Sequence, residues 1–181
     1  MKQMILTFVT MFFLFSACEN DLAEVQRIIP KDFVGKETFK TVELLYSDSA
    51  ILRVRVLAPR MVRHLDRREP RQEFDQGLTV DFFGLHKNVQ SKLSAKYAIR
   101  LINEKKVIAR DSVELHSKQN EKLETSELIW DEKNKKIYTN KFVMITTPDE
   151  KIWGYGFEAN QEFTKWSIKA IEGELKVKDL K

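Results

Sequence analysis

From Thr38 onward, apolar residues recur at every second position. Val42, Leu44 and Tyr46 alternate with Glu43 and Leu45, and Leu52, Val54, Val56 and Ala58 alternate with Ile51, Arg53, Arg55 and Leu57. Leu78, Val80 and Phe82 follow the same rule around Thr79 and Asp81, as do Val113 and Leu115 around Glu114, and Val143 and Ile145 further on. Side chains of a strand point alternately to opposite faces, so a period of two predicts half-buried strands rather than helices. The polar clusters between these runs are hairpin-sized: Ser47-Asp48-Ser49, His86-Lys87-Asn88, Asn103-Glu104-Lys105-Lys106, Lys118-Gln119-Asn120-Glu121, Asp131-Glu132-Lys133-Asn134 and Pro148-Asp149-Glu150. No long segment of helical period separates them. That excludes a βαβ sheet and predicts an all-β domain, an antiparallel sandwich, barrel or jelly roll.

The alternation places Val54, Val56, Val80, Phe82, Val113, Leu115, Leu128, Trp130, Val143 and Ile145 on inward faces. A second regularity lies over the first. Leu93-Ser94-Ala95 maps onto Leu123-Glu124-Thr125, Lys106-Val107 onto Lys136-Ile137, and Val113-Glu114-Leu115 onto Val143-Met144-Ile145, each pair 30 positions apart. Such a period predicts a repeated supersecondary unit that cannot bury its apolar face alone. Stacked copies share one core and leave open edges at the two ends. The segment from Phe163 to Gly173 has strand-like alternation with Trp166, Ile168 and Ala170 on one face and no proline to block it, so it is a candidate partner edge.

The beginning of the chain has a different pattern. Lys2 precedes an apolar run of 12 residues, Met4 to Phe15, then Ser16-Ala17 and Cys18. A membrane-spanning helix needs about 20 apolar residues, so this run is a secretory signal. Leu14-Phe15-Ser16-Ala17-Cys18 resembles the lipobox of bacterial lipoproteins, with Phe15 where Leu is usual. The resemblance implies an acylated Cys18 as the mature N-terminus, and more than one acyl chain holds a protein firmly to a membrane. The expected organisation is a signal peptide over residues 1–17, an anchor and tether over 18–37, one β domain over 38–177 and a tail over 178–181.

Composition adds mainly exclusions. A net charge of +4 is too slight to imply a nucleic-acid partner. One cysteine and three scattered histidines build neither an intrachain disulfide nor a cysteine-based metal site, and no cofactor motif appears. His64, His86 and His116 read as surface or turn residues, and Gly154-Tyr155-Gly156 as a bulge or close backbone approach. Nothing here is a catalytic constellation. The aromatic residues Phe82, Trp130, Phe142, Trp153, Phe157 and Trp166 read as core. The run from Arg60 to Arg71 holds five arginines, which suit lipid phosphates but read first as a solvated loop guarding a sheet edge.

Leu123-Glu124-Thr125-Ser126-Glu127-Leu128-Ile129-Trp130-Asp131, then Lys136-Ile137-Tyr138-Thr139 and Gly154-Tyr155-Gly156-Phe157, resemble the LptC-like periplasmic component of lipopolysaccharide export bridges. Tyr46-Ser47-Asp48-Ser49, Ala58-Pro59, Phe74-Asp75-Gln76-Gly77-Leu78 and Leu93-Ser94-Ala95 match that family's order upstream. The resemblance implies an open, twisted β-jelly roll whose inner faces hold lipid A acyl chains and whose edge strands pair with neighbouring domains. The expected function is non-catalytic: a lipopolysaccharide-binding subunit that receives its cargo from the subunits of an inner-membrane ABC transporter. It would pass that cargo to a soluble periplasmic bridge protein docked on the C-terminal edge. The expected location is the periplasmic face of the inner membrane, held through acylated Cys18. The alternatives are a structural or adhesive β-domain lipoprotein, or a carrier for another lipid.

Overall fold

A computed structural model describes residues 35–66 and 68–176. The signal segment, Cys18, most of the tether and the tail at 178–181 lie outside the described residues. Within them the chain is eleven antiparallel strands, β1 (Lys36–Asp48), β2 (Ile51–His64), β3 (Arg71–Phe74), β4 (Leu78–Phe83), β5 (Val89–Ala95), β6 (Tyr97–Leu101), β7 (Lys106–Ser117), β8 (Lys122–Asp131), β9 (Lys136–Thr146), β10 (Glu150–Asn160) and β11 (Trp166–Lys176). The expected turn clusters fall at strand ends, and the fold is the open antiparallel jelly roll that the hairpin pattern and the resemblance imply.

Two layers arise because long strands serve both. Residues 54–57 of β2 pair with β4, whereas residues 62–64 pair with β3. Likewise β7 gives residues 106–110 to β6 and residues 114–117 to β5. One layer therefore runs through β4 and β5, the other through β3 and β6, and β7 hands both on to β8, β9 and β10. A strand can change layer only if it bends, and an extra unpaired residue bends it. Register shifts lie between Arg110 and Val113, between Thr125 and Ile129, and between Tyr155 and Phe157. Thr41, Asp111, Ser112 and Gly156 have positive φ, which only Gly adopts without strain. Gly154 meets a different demand: a Cβ there would collide with the Ala170 carbonyl of β11.

The period of 30 is structural. β7 buries Val107, Ala109, Val113 and Leu115 around an exposed kink at residues 110–112; β9 buries Ile137, Thr139, Val143 and Ile145 around one at residues 140–142. Lys105 and Lys135, at matching places in the preceding turns, both have φ of 54°. Among the described residues two strands have a single neighbour: β1 pairs with β2, and β11 with β10.

The expectations for His64, the arginine run and Phe142 need correction. His64 is neither surface nor turn; it closes β2, is 5% exposed, and its Nε2 lies 3.0 Å from Glu73 Oε2. The arginine run is strand up to residue 64, and its guanidinium groups are partly committed, Arg60 to Asp75 at 2.6 Å and Arg63 to Glu37 at 3.1 Å. Phe142 sits at the β9 kink, which turns it outward against Tyr155 instead of into the core.

Candidate functional site

The ten residues assigned to inward faces come together. Each is at most 6% exposed, and all belong to one apolar cluster between the layers. Phe82 of β4 meets Trp130 of β8 edge-to-face across the layers, ring centroids 5.1 Å apart. Trp166 and Ile168 of β11 pack half-buried against the same cluster, as do Val42, Leu44 and Tyr46 of β1. Ala170 lies past the bulge at Gly156 and is exposed. Both edge strands thus wall the interior.

Close to β11, the loop after β10 folds in rather than out. Phe163 is fully buried, set against Phe157 at 5.9 Å, and the carbonyl of Gln161 accepts from Ser91 Oγ of β5 at 2.8 Å. Alternation gave no warning of this plug, because Phe163 stands among Asn160, Gln161, Glu162, Thr164 and Lys165.

On the β1 side the interior ends at a charged clasp. Arg100 of β6 donates twice to Glu132, at 2.6 and 2.8 Å, and once to Tyr46 Oη at 2.8 Å, with its guanidinium carbon 4.9 Å from the Tyr46 ring centre. Burial works against the Arg100 charge, but the Glu132 hydrogen bonds together with the charge interactions of Tyr46 and Glu132 outweigh it and hold the guanidinium above its ordinary value. Burial also pushes the Tyr46 phenol up, with the Arg100 charge opposing. The clasp ties an edge strand of one layer to β6 of the other. Behind it, the space bounded by Tyr46, Val56, Phe74, Trp130 and Glu132 is a cavity of about 10 Å³, room for one water at most.

Outside the clasp lies a larger cleft of about 170 Å³, lined by Tyr46, Asp48, Arg53, Trp130, Lys135 and Gln161 among others. Lys135 and Asp48 pair across it at 3.2 Å, and the hydrogen bond from Lys135 holds the Asp48 carboxyl below its usual range. Arg53 falls where the β1–β2 register slips, so it breaks the alternation that would send it to the outer face. Its Nε and the Nε1 of Trp130 are buried without an acceptor. Among the described residues no group of His, Cys, Asp and Glu is placed to hold a metal, and no helix is long and apolar enough to cross a membrane.

The interior, the kinks and the open C-terminal edge fall largely within one stretch that has known counterparts. A family model described as lipopolysaccharide-assembly, LptC-related, matches residues 76–176, while no curated protein matches the chain. The match begins in the turn before β4 and ends with β11, taking in more than half of the sequence, and it coincides with the layers built on the repeat. The chain therefore belongs to the LptC-related family of lipopolysaccharide-assembly proteins.

Proposed function

We propose that this chain is the bridge subunit that takes lipopolysaccharide from an inner-membrane ABC transporter and passes it to the next jelly roll, holding the acyl chains between its two layers. Membership of the family gives it a part in lipopolysaccharide transport, among components that are not catalysts and that work in the periplasm at the inner membrane. The observation that carries the finer reading is a continuous apolar interior walled by two strands, β1 and β11, each with one neighbour among the described residues. Val54, Val56, Val80, Phe82, Val113, Leu115, Leu128, Trp130, Val143 and Ile145 would be the lipid-facing set.

Clefts that hold even drug-sized ligands run to roughly 300–1,000 Å³, far above the cavity behind the clasp. Carriage therefore requires the layers to part. β1 is the element to move, because among the described residues it pairs with β2 alone and is otherwise tied across by the clasp at Tyr46 and the Asp48–Lys135 pair at its end. Each methylene that replaces water with apolar side chains contributes roughly 0.8 kcal/mol, and that gain offsets the packing lost on opening. Mass spectrometry of lipid co-purified with the chain from native membranes should find lipopolysaccharide; another lipid class in its place would make the protein a different carrier.

The anchor belongs to the same proposal: residues 1–17 as signal, Cys18 as acylated terminus, residues 18–37 as tether, residues 38–177 as the carrying domain and 178–181 as tail. Cys18→Ala should abolish metabolic acyl labelling and release the protein from washed membranes. An unlabelled wild-type protein would remove the lipoprotein reading.

A further inference from the structure

The cleft outside the clasp has an unbalanced set of donors. Its acids already have partners: Glu132 accepts both hydrogen bonds from Arg100, and Asp48 accepts from Lys135. Arg53, by contrast, makes no ion pair among the described residues, and its Nε is buried with no acceptor. Trp130 is 6% exposed, lines both the cleft and the small cavity behind the clasp, and keeps an unpartnered Nε1. A buried donor without an acceptor is destabilising, so two cleft-lining residues that each carry one mark a place where an acceptor is stabilising.

We propose that this cleft seats the oxyanion of a phosphorylated amphiphile, with Arg53 Nε and Trp130 Nε1 donating to phosphate oxygens while the alkyl chain continues past the clasp into the interior. The inference rests on the carriage reading and adds to it a seat for the charged headgroup, formed by Arg53 and Trp130. A guanidinium suits this task because its N–H groups match phosphate oxygens and its charge strengthens each hydrogen bond. The indole adds a neutral donor at the boundary of apolar interior and wet cleft. The cleft is too small for acyl chains but adequate for one phosphate group, which divides the ligand between two compartments.

The test is calorimetric titration of the full chain with decyl phosphate, decanol and inorganic phosphate. Decyl phosphate should bind at least about tenfold more tightly than decanol, as expected when a charge-assisted contact is added to the same chain. Arg53→Gln should erase most of that ratio while decanol affinity stays the same. Trp130→Phe, which keeps a ring against Phe82 and removes only the N–H, should also lower the ratio. Equal affinities for decyl phosphate and decanol, with decanol bound, would overturn the oxyanion seat and leave carriage intact. Failure of decanol and decyl phosphate alike to bind would sink carriage itself. Inorganic phosphate binding as tightly as decyl phosphate would make the site one for a free anion and overturn the headgroup assignment.

Discussion

Phe82→Ala should destabilise the lipid-free domain by about 3–5 kcal/mol, the range for removing a fully buried large aromatic side chain. Phe82 is fully buried and meets Trp130 edge-to-face, at the centre of the contact between layers. The substitution takes away both the transfer energy and a cross-layer partner. Domains of this size are stable by only about 5–15 kcal/mol, so the loss would be a large share of the total. Glu114→Ala, on the outward side of β7, should fall within about 0.5 kcal/mol of wild type. Denaturant midpoints at unchanged slope would measure both. A cost below about 1 kcal/mol for Phe82→Ala would mean that water already reaches between the layers in the free protein.

Ile168→Pro should reduce pull-down of the soluble bridge protein to background while the domain keeps its β-type circular dichroism. Among the described residues β11 has one neighbour, so the rim away from β10 presents N–H and C=O groups that a partner strand can pair. Proline removes a donor and fixes φ, which disrupts edge pairing. Lys165 and Lys169 are exposed along this strand and its entrance, a device against self-pairing. Ile168 is half-buried against the core opposite Phe157, so some stability is lost as well. Ile168→Val, which keeps the backbone donor and most of the packing, should bind normally. Undiminished pull-down by folded Ile168→Pro would locate docking elsewhere, with β1 as the other open edge.

What the sequence reveals here depends on whether a residue's environment is local. Strand alternation is local, and Val80, Phe82, Val113, Leu115, Val143 and Ile145 all lie in the cluster that it assigns. The repeat is legible because matching kinks recur at matching positions of β7 and β9. β3 and β6, with four and five residues, are too short to display a period. Arg100 shares a face with buried Ala98, yet nothing nearby in sequence announces Glu132, Tyr46 and Gln72, which make its inward position tolerable. Arg53 was misdirected by counting through a bulge, and Phe163 was hidden by its polar neighbours. The two features that shape the mouth, clasp and plug, are both tertiary.

Site-specific photo-crosslinking in living cells tests the central claim most directly, that acyl chains travel between the layers. A probe replacing Phe82 or Trp130 faces the interior, while one replacing Lys92 or Glu114 stands on the outward side of β5 or β7. Arg53 is unsuitable as an outward control because it lines the cleft. The expected result is a lipopolysaccharide adduct from the two interior positions and none from the two outward ones, with capture abolished when the transporter's ATP hydrolysis is blocked. Equal capture from both sets, or adducts from the outward set alone, would contradict carriage through the interior.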